Sequence, residues 1–154
     1  MKKLVLAAIA VVACPTLLLA QGTVSFGSGG PNVNNQYLQY ENLEKAAGVE
    51  AQLWHAATEV GTYSQIATAT TVASGGGAGY IAPSITVATP SAGGATAWFI
   101  VRGVDGAYEG QTPNFSAGPL GNPTAQPPTP APTLDGWTSP ITLTIVPEPS
   151  VIAL

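Results

Sequence analysis

The sequence predicts an all-β protein: an antiparallel β-sandwich, jelly-roll or immunoglobulin-like, with at most one short helix besides a signal peptide. Two observations favour this fold. Apolar and polar residues alternate with a period of two through much of the chain after residue 21, which is typical of strands with one buried face. Gly, Pro and polar residues separate six to eight such runs at short intervals, as in sandwich domains. The chain of 154 residues has room for one domain, which we place at residues 21–146.

The first twenty residues have the layout of a secretory signal peptide. A basic start of two lysines precedes an apolar run over residues 4–19 that is broken at Pro15. This run falls short of the roughly 20 apolar residues that a membrane-spanning helix needs. We therefore expect residues 1–20 to be removed, with cleavage between Ala20 and Gln21.

An alternative processing site lies inside this leader. Residues 11–14 resemble a loose lipobox, in which Cys14 would become a lipidated N-terminus. The following residues stay apolar up to Ala20, which favours cleavage after Ala20 instead. Cleavage there leaves no cysteine, and so it excludes disulfides, thiolate nucleophiles and cysteine-bound metals.

The mature chain is strongly acidic. Its eight acidic residues are balanced by only two basic ones, Lys45 and Arg102, so the formal net charge changes from -4 to -6 when the two leader lysines are removed. Binding to nucleic acid requires clustered basic side chains, and an anionic membrane surface attracts the same residues. The sequence therefore predicts no nucleic-acid partner.

The first elements of the domain follow in order. Alternation over residues 23–26 and again over residues 49–53 predicts two strands. Between them, residues 35–47 have apolar residues near helical spacing and a Glu41 to Lys45 pair at i,i+4. The one short helix is expected there.

The middle of the chain predicts a hairpin. Residues 84–87 and 95–101 alternate on either side of an Ala-Gly-Gly turn at residues 92–94. Both faces of the second strand carry large apolar residues, with Trp98 on one face and Phe99 on the other. We therefore expect this strand to be central in its sheet.

The segment 118–140 is crowded with proline, above all in Gln-Pro-Pro-Thr-Pro-Ala-Pro at residues 126–132. Proline lacks the N–H group that a strand ladder needs, so this segment is predicted to be an extended loop along a sheet edge. Ile141, Leu143 and Ile145 then alternate with threonines, which predicts a last strand with one face in the core.

Residues 146–154, Val-Pro-Glu-Pro-Ser-Val-Ile-Ala-Leu, resemble the start of a PEP-CTERM sorting signal. In that bacterial family the tripeptide, here Pro147, Glu148 and Pro149, follows the secreted domain and precedes a hydrophobic helix and a cluster of arginines. Two prolines keep the chain extended for a protease-like groove, and the glutamate offers a charge for recognition. Only five residues follow the motif, too few to cross a bilayer. The signal at residues 147–154 is thus expected to be truncated or a remnant.

The resemblance implies an exosortase-type processing enzyme as a partner and exopolysaccharide as a second one. It also implies a secreted or cell-envelope location: periplasm, outer surface or extracellular matrix. Membrane contact is then expected only in transit or through a C-terminal helix that is missing from this sequence.

Few residues are suited to catalysis. His55 is the only histidine, which excludes a multi-histidine zinc centre within one chain, and a lone histidine near a strand end is expected to be exposed. A Ser-His-Asp triad could join His55 to Asp105 or Asp135, but no Gly-x-Ser-x-Gly elbow supports it. Asp105 with Glu109 lacks the spacing of a calcium loop. Three glutamates are expected to form a solvated face: Glu41, Glu44 and Glu50. The sequence predicts no enzyme, no cofactor and no metal site.

Aromatic residues offer the most specific binding chemistry, because ring faces pack against sugar C–H groups. The aromatic residues that could form a sugar-stacking surface are Trp54, Trp98, Trp137, Tyr63, Tyr80 and Tyr108. The three tryptophans are the leading candidates, although core packing is expected to take at least Trp98. Two functions remain. The first is an exported, non-enzymatic envelope or extracellular-matrix protein that carries a sorting motif and associates with exopolysaccharide. The alternative is a carbohydrate-binding module, which requires aromatic rings exposed together.

Overall fold

The computed structural model describes residues 21–28 and 36–147. The predicted signal peptide and the residues from Glu148 onward lie outside the described residues. These ranges contain nine strands and one 3₁₀ turn at Gly75–Gly77. The strands are β1 (Gln21–Phe26), β2 (Leu38–Tyr40), β3 (Glu50–Ala56), β4 (Ser64–Thr70), β5 (Ile85–Ala92), β6 (Ala97–Asp105), β7 (Tyr108–Gln111), β8 (Phe115–Ala117) and β9 (Ile141–Ile145). No helix within these ranges is long and apolar enough to span a bilayer.

The strands form a β-sandwich of two sheets, as predicted. Seven strands belong to a curled sheet. Six of them follow the order β2-β9-β7-β6-β3-β4. The seventh, β8, pairs with β6 on the same side as β7. β1 and β5 form the second sheet. β6 is central, as its two apolar faces predicted. Among the described strands every pair is antiparallel except β2 with β9, which run parallel and make the large sheet mixed.

The hydrophobic core lies between the two sheets. The small sheet contributes Val24 and Phe26, both fully buried, and the large sheet contributes alternate residues of its central strands. The largest buried side chains are Trp137, Phe26, Phe99, Leu38, Leu53, Ile81, Leu120, Leu134, Ile141 and Leu143. Ile145, predicted on the buried face of β9, is 58% exposed, because β9 extends past the core at that point.

The proline-rich segment 118–140 runs along the edge of β1 without forming a strand. The N–H groups of Thr23 and Gly121 each donate to the other residue's carbonyl at 2.9 Å. Leu134 and Trp137 from the same segment insert into the core. The segment therefore protects an open sheet edge and closes one side of the sandwich.

The predicted hairpin between residues 84–87 and 95–101 is wrong. β5 pairs with β1, whereas β6 pairs with β3, β7 and β8. The turn between β5 and β6 therefore carries the chain from one sheet to the other. Gly94 has a φ of +83° there, and its N–H donates to the Leu120 carbonyl at 2.8 Å. This contact with a distant segment anchors the crossover.

The helix predicted over residues 35–47 does not occur in the described part of that segment. β2 takes its first part, and the chain then turns at Leu43, whose φ of +67° lies in the left-handed region. The Lys45 ammonium lies over the Tyr37 ring and forms no ion pair with Glu41. A cation–π contact has replaced the helical pair on which the prediction depended.

Candidate functional site

The face of the seven-stranded sheet that points away from the core carries an aromatic and polar surface. It is formed by the residues that alternate with the core positions of β3, β6 and β7. Trp54 is opposite Ile100 across the β3–β6 pair, and Gln52 is opposite Arg102. Arg102 is in turn opposite Gln111 on β7. Three neighbouring strands thus place these side chains side by side.

A shallow cavity of about 170 Å³ opens on this surface and is lined by Trp54, Tyr63, Ile100, Arg102 and Gln111. These five residues are termed the outer-face site. The indole and phenol rings supply apolar surface, and the amide and guanidinium groups supply hydrogen-bonding groups. Ligand sites typically combine apolar lining with a few oriented polar groups in this way.

Hydrogen bonds fix the side chains around the cavity. Trp54 Nε1 donates to Gln52 Oε1 at 3.1 Å, and Gln52 Nε2 donates to Glu50 Oε1 at 2.8 Å. Arg102 donates from Nη2 to the carboxylate of Glu109 on β7, which is the one ion pair within the described part of the chain. The aromatic and cationic groups therefore have fixed orientations.

The three tryptophans singled out in the sequence lie in different environments. Trp54 lines the outer-face site. Trp98 is half-buried on the same face, opposite Ala56, and so it belongs neither to the cavity nor to the core in which it was expected. Trp137 is 1% exposed, and its Nε1 donates to the Ser139 carbonyl at 2.6 Å. A ring buried in this way has no face available for a sugar.

Ile100, Arg102 and Gln111 were not identified from the sequence as site residues. Ile100 and Arg102 share the alternating face of Trp98, and this alternation was the signal that could have found them. Gln111 gave no such signal, because its place beside Arg102 depends on the register between β6 and β7.

His55 is buried, with 4% of its surface exposed, where the sequence favoured exposure. Its Nε2 lies 2.9 Å from Ser91 Oγ on β5, so the pair links the two sheets, and burial lowers the pKa of the ring. Asp105 and Asp135 each accept a hydrogen bond from a hydroxyl group elsewhere. Within the described ranges, no carboxylate completes a triad with His55 and Ser91.

A second cavity, of about 370 Å³, lies where β6, β7 and β9 extend past the core. Its lining includes Tyr40, Glu41, Glu44, Asp105 and Tyr108. The Tyr40 hydroxyl donates to the Asp105 carboxylate, and this bond, together with burial and the negative charge of Asp105, raises the pKa of Tyr40 to about 12. The Tyr40 and Tyr108 rings meet edge to face with centroids 5.4 Å apart.

The carboxylates singled out in the sequence are divided between the second cavity and the outer face. Glu41 and Glu44 line the second cavity, whereas Glu50 accepts a hydrogen bond on the outer face. Asp105 bonds to Tyr40 while Glu109 bonds to Arg102, so this pair does not form a common calcium site. No group of three or more His, Cys, Asp or Glu residues among residues 21–28 and 36–147 is arranged to hold a metal ion.

Comparison of the chain with protein-family models, with curated proteins and with solved structures finds no match.

Proposed function

We propose that the chain is an exported, non-enzymatic protein of a bacterial envelope or extracellular matrix, and that it binds polysaccharide through the outer-face site. One observation carries this proposal: Trp54 and Tyr63 line a single solvent-facing cavity beside Arg102 and Gln111. Sugar rings have apolar C–H faces that pack on aromatic rings. Their hydroxyl groups accept hydrogen bonds from amide and guanidinium groups.

The site suits an extended polymer because it is shallow and lies on the face of a sheet. The bond from Trp54 to Gln52 holds the indole in place, so less side-chain entropy is lost on binding. The proposal gives no catalytic role to this face. Its two carboxylates, Glu50 and Glu109, are engaged by Gln52 and Arg102.

The proposed export and sorting rest on the ends of the sequence. Val146 N–H donates to the Ala107 carbonyl at 2.8 Å, and Pro147, which is exposed, follows directly. The sorting motif therefore begins where the last strand ends, a position that an exosortase-type enzyme could reach. Glu148, Pro149 and Ala20 lie outside the described residues, and Gln21 is the first residue of β1.

Affinity electrophoresis of the full chain, in gels that contain soluble polysaccharides, tests the binding. Retardation by at least one polymer is expected. Trp54→Ala should weaken it roughly tenfold or more, because truncation of a central aromatic side chain typically costs at least 1–2 kcal/mol.

Trp98→Ala is the matched control, since it removes the same side chain from the same face but outside the cavity. It should keep wild-type retardation, and circular dichroism should show that both variants are folded. Equal behaviour of the two variants, or no retardation of the wild type by any polymer, would contradict the proposed function.

Expression of the gene in an export-competent bacterium, followed by fractionation, tests the location. The protein is expected outside the cytoplasm, with Gln21 as its N-terminal residue by mass spectrometry. Intact protein that begins at Met1 in the cytosolic fraction would overturn this part of the proposal.

A further inference from the structure

We infer that the outer-face site selects uncharged polysaccharide over acidic polysaccharide, and that Glu109 sets this selection by neutralising Arg102. The inference rests on the proposed function, because it states what the same site accepts. It depends on the charges around the cavity, whereas the proposed function depends on the aromatic rings.

Arg102 is the only basic side chain on the outer face within the described residues. Lys45, the other basic residue in the described part of the chain, lies in the turn after β2. Glu109 is a diagonal neighbour of Arg102 across the β6–β7 pair, in which Arg102 is directly opposite Gln111. The side chains of Arg102 and Glu109 are 32% and 35% exposed, so the ion pair lies at the surface where a ligand would arrive.

An acidic sugar would find no free cation in this site. Its carboxylate could bind Arg102 only by displacing the carboxylate of Glu109, which would then remain beside the ligand with the same charge. Glu50 adds a second negative charge on this face. The net charge of -6 expected after removal of the leader lysines would also slow the approach of an anionic polymer, most strongly at low salt.

An uncharged sugar meets none of these costs. A guanidinium group has five N–H donors, so Arg102 can hold Glu109 and still donate to sugar hydroxyl groups. The ion pair fixes the direction of those donors. Gln111 adds an amide beside them, and stacking on Trp54 and Tyr63 does not depend on ligand charge.

Affinity electrophoresis of the full chain with mixed-linkage β-glucan and dextran as uncharged probes, and with alginate and polygalacturonate as acidic probes, tests the selection. The wild type is expected to be retarded by at least one uncharged polymer, with little dependence on salt, and not by the acidic polymers.

Glu109→Gln frees Arg102. It should raise the affinity for acidic polymer by up to about fivefold, the upper range for a surface ion pair, and salt should reverse this gain. Its affinity for the uncharged polymer should not rise, because the ion pair that orients the Arg102 donors is lost, so the ratio of acidic to uncharged binding should increase.

Glu44→Gln makes the same change of charge in the second cavity and serves as the matched control. Arg102→Gln added to Glu109→Gln should remove the gained acidic binding. The selection inference is overturned if the wild type binds acidic polymer as strongly as uncharged polymer, or if Glu109→Gln gains no more than Glu44→Gln. If Glu109→Gln does not fold, the salt dependence of wild-type binding becomes the measurement that decides the selection inference. Absence of retardation by every polymer overturns the proposed function itself, so the two failures are distinguishable.

Discussion

At the scale of single residues, His55 is expected to couple the stability of the sandwich to pH. Its ring lies between the sheets, bonded to Ser91 and edge-on to Phe99 with centroids 5.6 Å apart. Burial lowers the pKa of His55 from 6.5, so below about pH 6.5 the unfolded chain binds more protons than the folded chain. The stability contribution of the neutral ring is therefore present above that pH and is lost as the pH falls towards the folded pKa.

Urea unfolding at about pH 7.5 and about pH 5.5, on either side of the ordinary histidine pKa, checks this expectation. His55→Gln keeps a polar group near Ser91 but does not titrate. The wild type should lose more free energy of unfolding between the two pH values than the variant does. The carboxylates are the same in both proteins, so the difference reports on His55. Equal losses would show that His55 does not contribute.

Tyr40 is expected to respond at the alkaline end. Its hydroxyl donates to the Asp105 carboxylate, and its pKa is about 12, so the stability from this contact is present below about pH 10 and is lost as the pH rises towards the folded value. Asp105→Asn removes the charge and should lower the pKa of Tyr40. In a spectrophotometric titration the variant should form more tyrosinate than the wild type at about pH 11. Glu44→Gln removes a carboxylate from the same cavity without touching the phenol, and it should leave the curve unchanged.

At the scale of the strands, the sequence predicted those elements that depend on their own residues. β1, β3 and β9 were located because alternation directs Val24, Leu53 and Leu143 into the core. β6 was predicted to be central because it is apolar on both faces. These signals are local, and the fold class follows from their number and spacing.

Strand pairing depends on distant contacts, and the sequence did not specify it. An Ala-Gly-Gly turn fits a hairpin and a crossover equally well. What holds β5 against β1 includes the buried Thr89 hydroxyl, which donates to the Gly22 carbonyl at 3.2 Å. The outer-face site could be predicted only in part for the same reason. Alternation places Trp54 and Arg102 on one face, but Gln111 reaches the cavity only through the β6–β7 register.

The seam between β7 and β9 depends on a glycine. A Cβ added at Gly110 would collide with the carbonyl oxygen of Thr142 on β9 and crowd Ile141 at 3.0 Å. Gly110→Ala should therefore destabilise the fold by about 1–3 kcal/mol or more, as overpacked positions do. Gly76→Ala is the control, because a Cβ there meets nothing within 4 Å. Urea denaturation of both variants measures the difference, and equal stabilities would mean that β9 moves away at no cost.

At the scale of the whole molecule, three connections join the two sheets into one packing unit. The chain crosses from β5 to β6 between the sheets, and the His55–Ser91 pair bridges them. The segment 118–140 bonds to the edge of β1 and places Trp137 in the shared core. Neither the two sheets nor the segment 118–140 can bury their apolar side chains without one another.

One cooperative unfolding transition is therefore expected. Trp54→Phe combined with Trp98→Phe leaves Trp137 as the only tryptophan, and its ring lies in the core although its backbone belongs to the segment 118–140. In urea, the fluorescence midpoint of this double variant should coincide with its midpoint by far-ultraviolet circular dichroism, which follows the strands. The segment cannot detach without exposing the core and leaving the edge of β1 unpaired. The wild-type dichroism midpoint is the control for the two substitutions, which lie outside the core. A fluorescence midpoint at lower urea than the dichroism midpoint would show that the proline-rich segment unfolds first, as a separate unit.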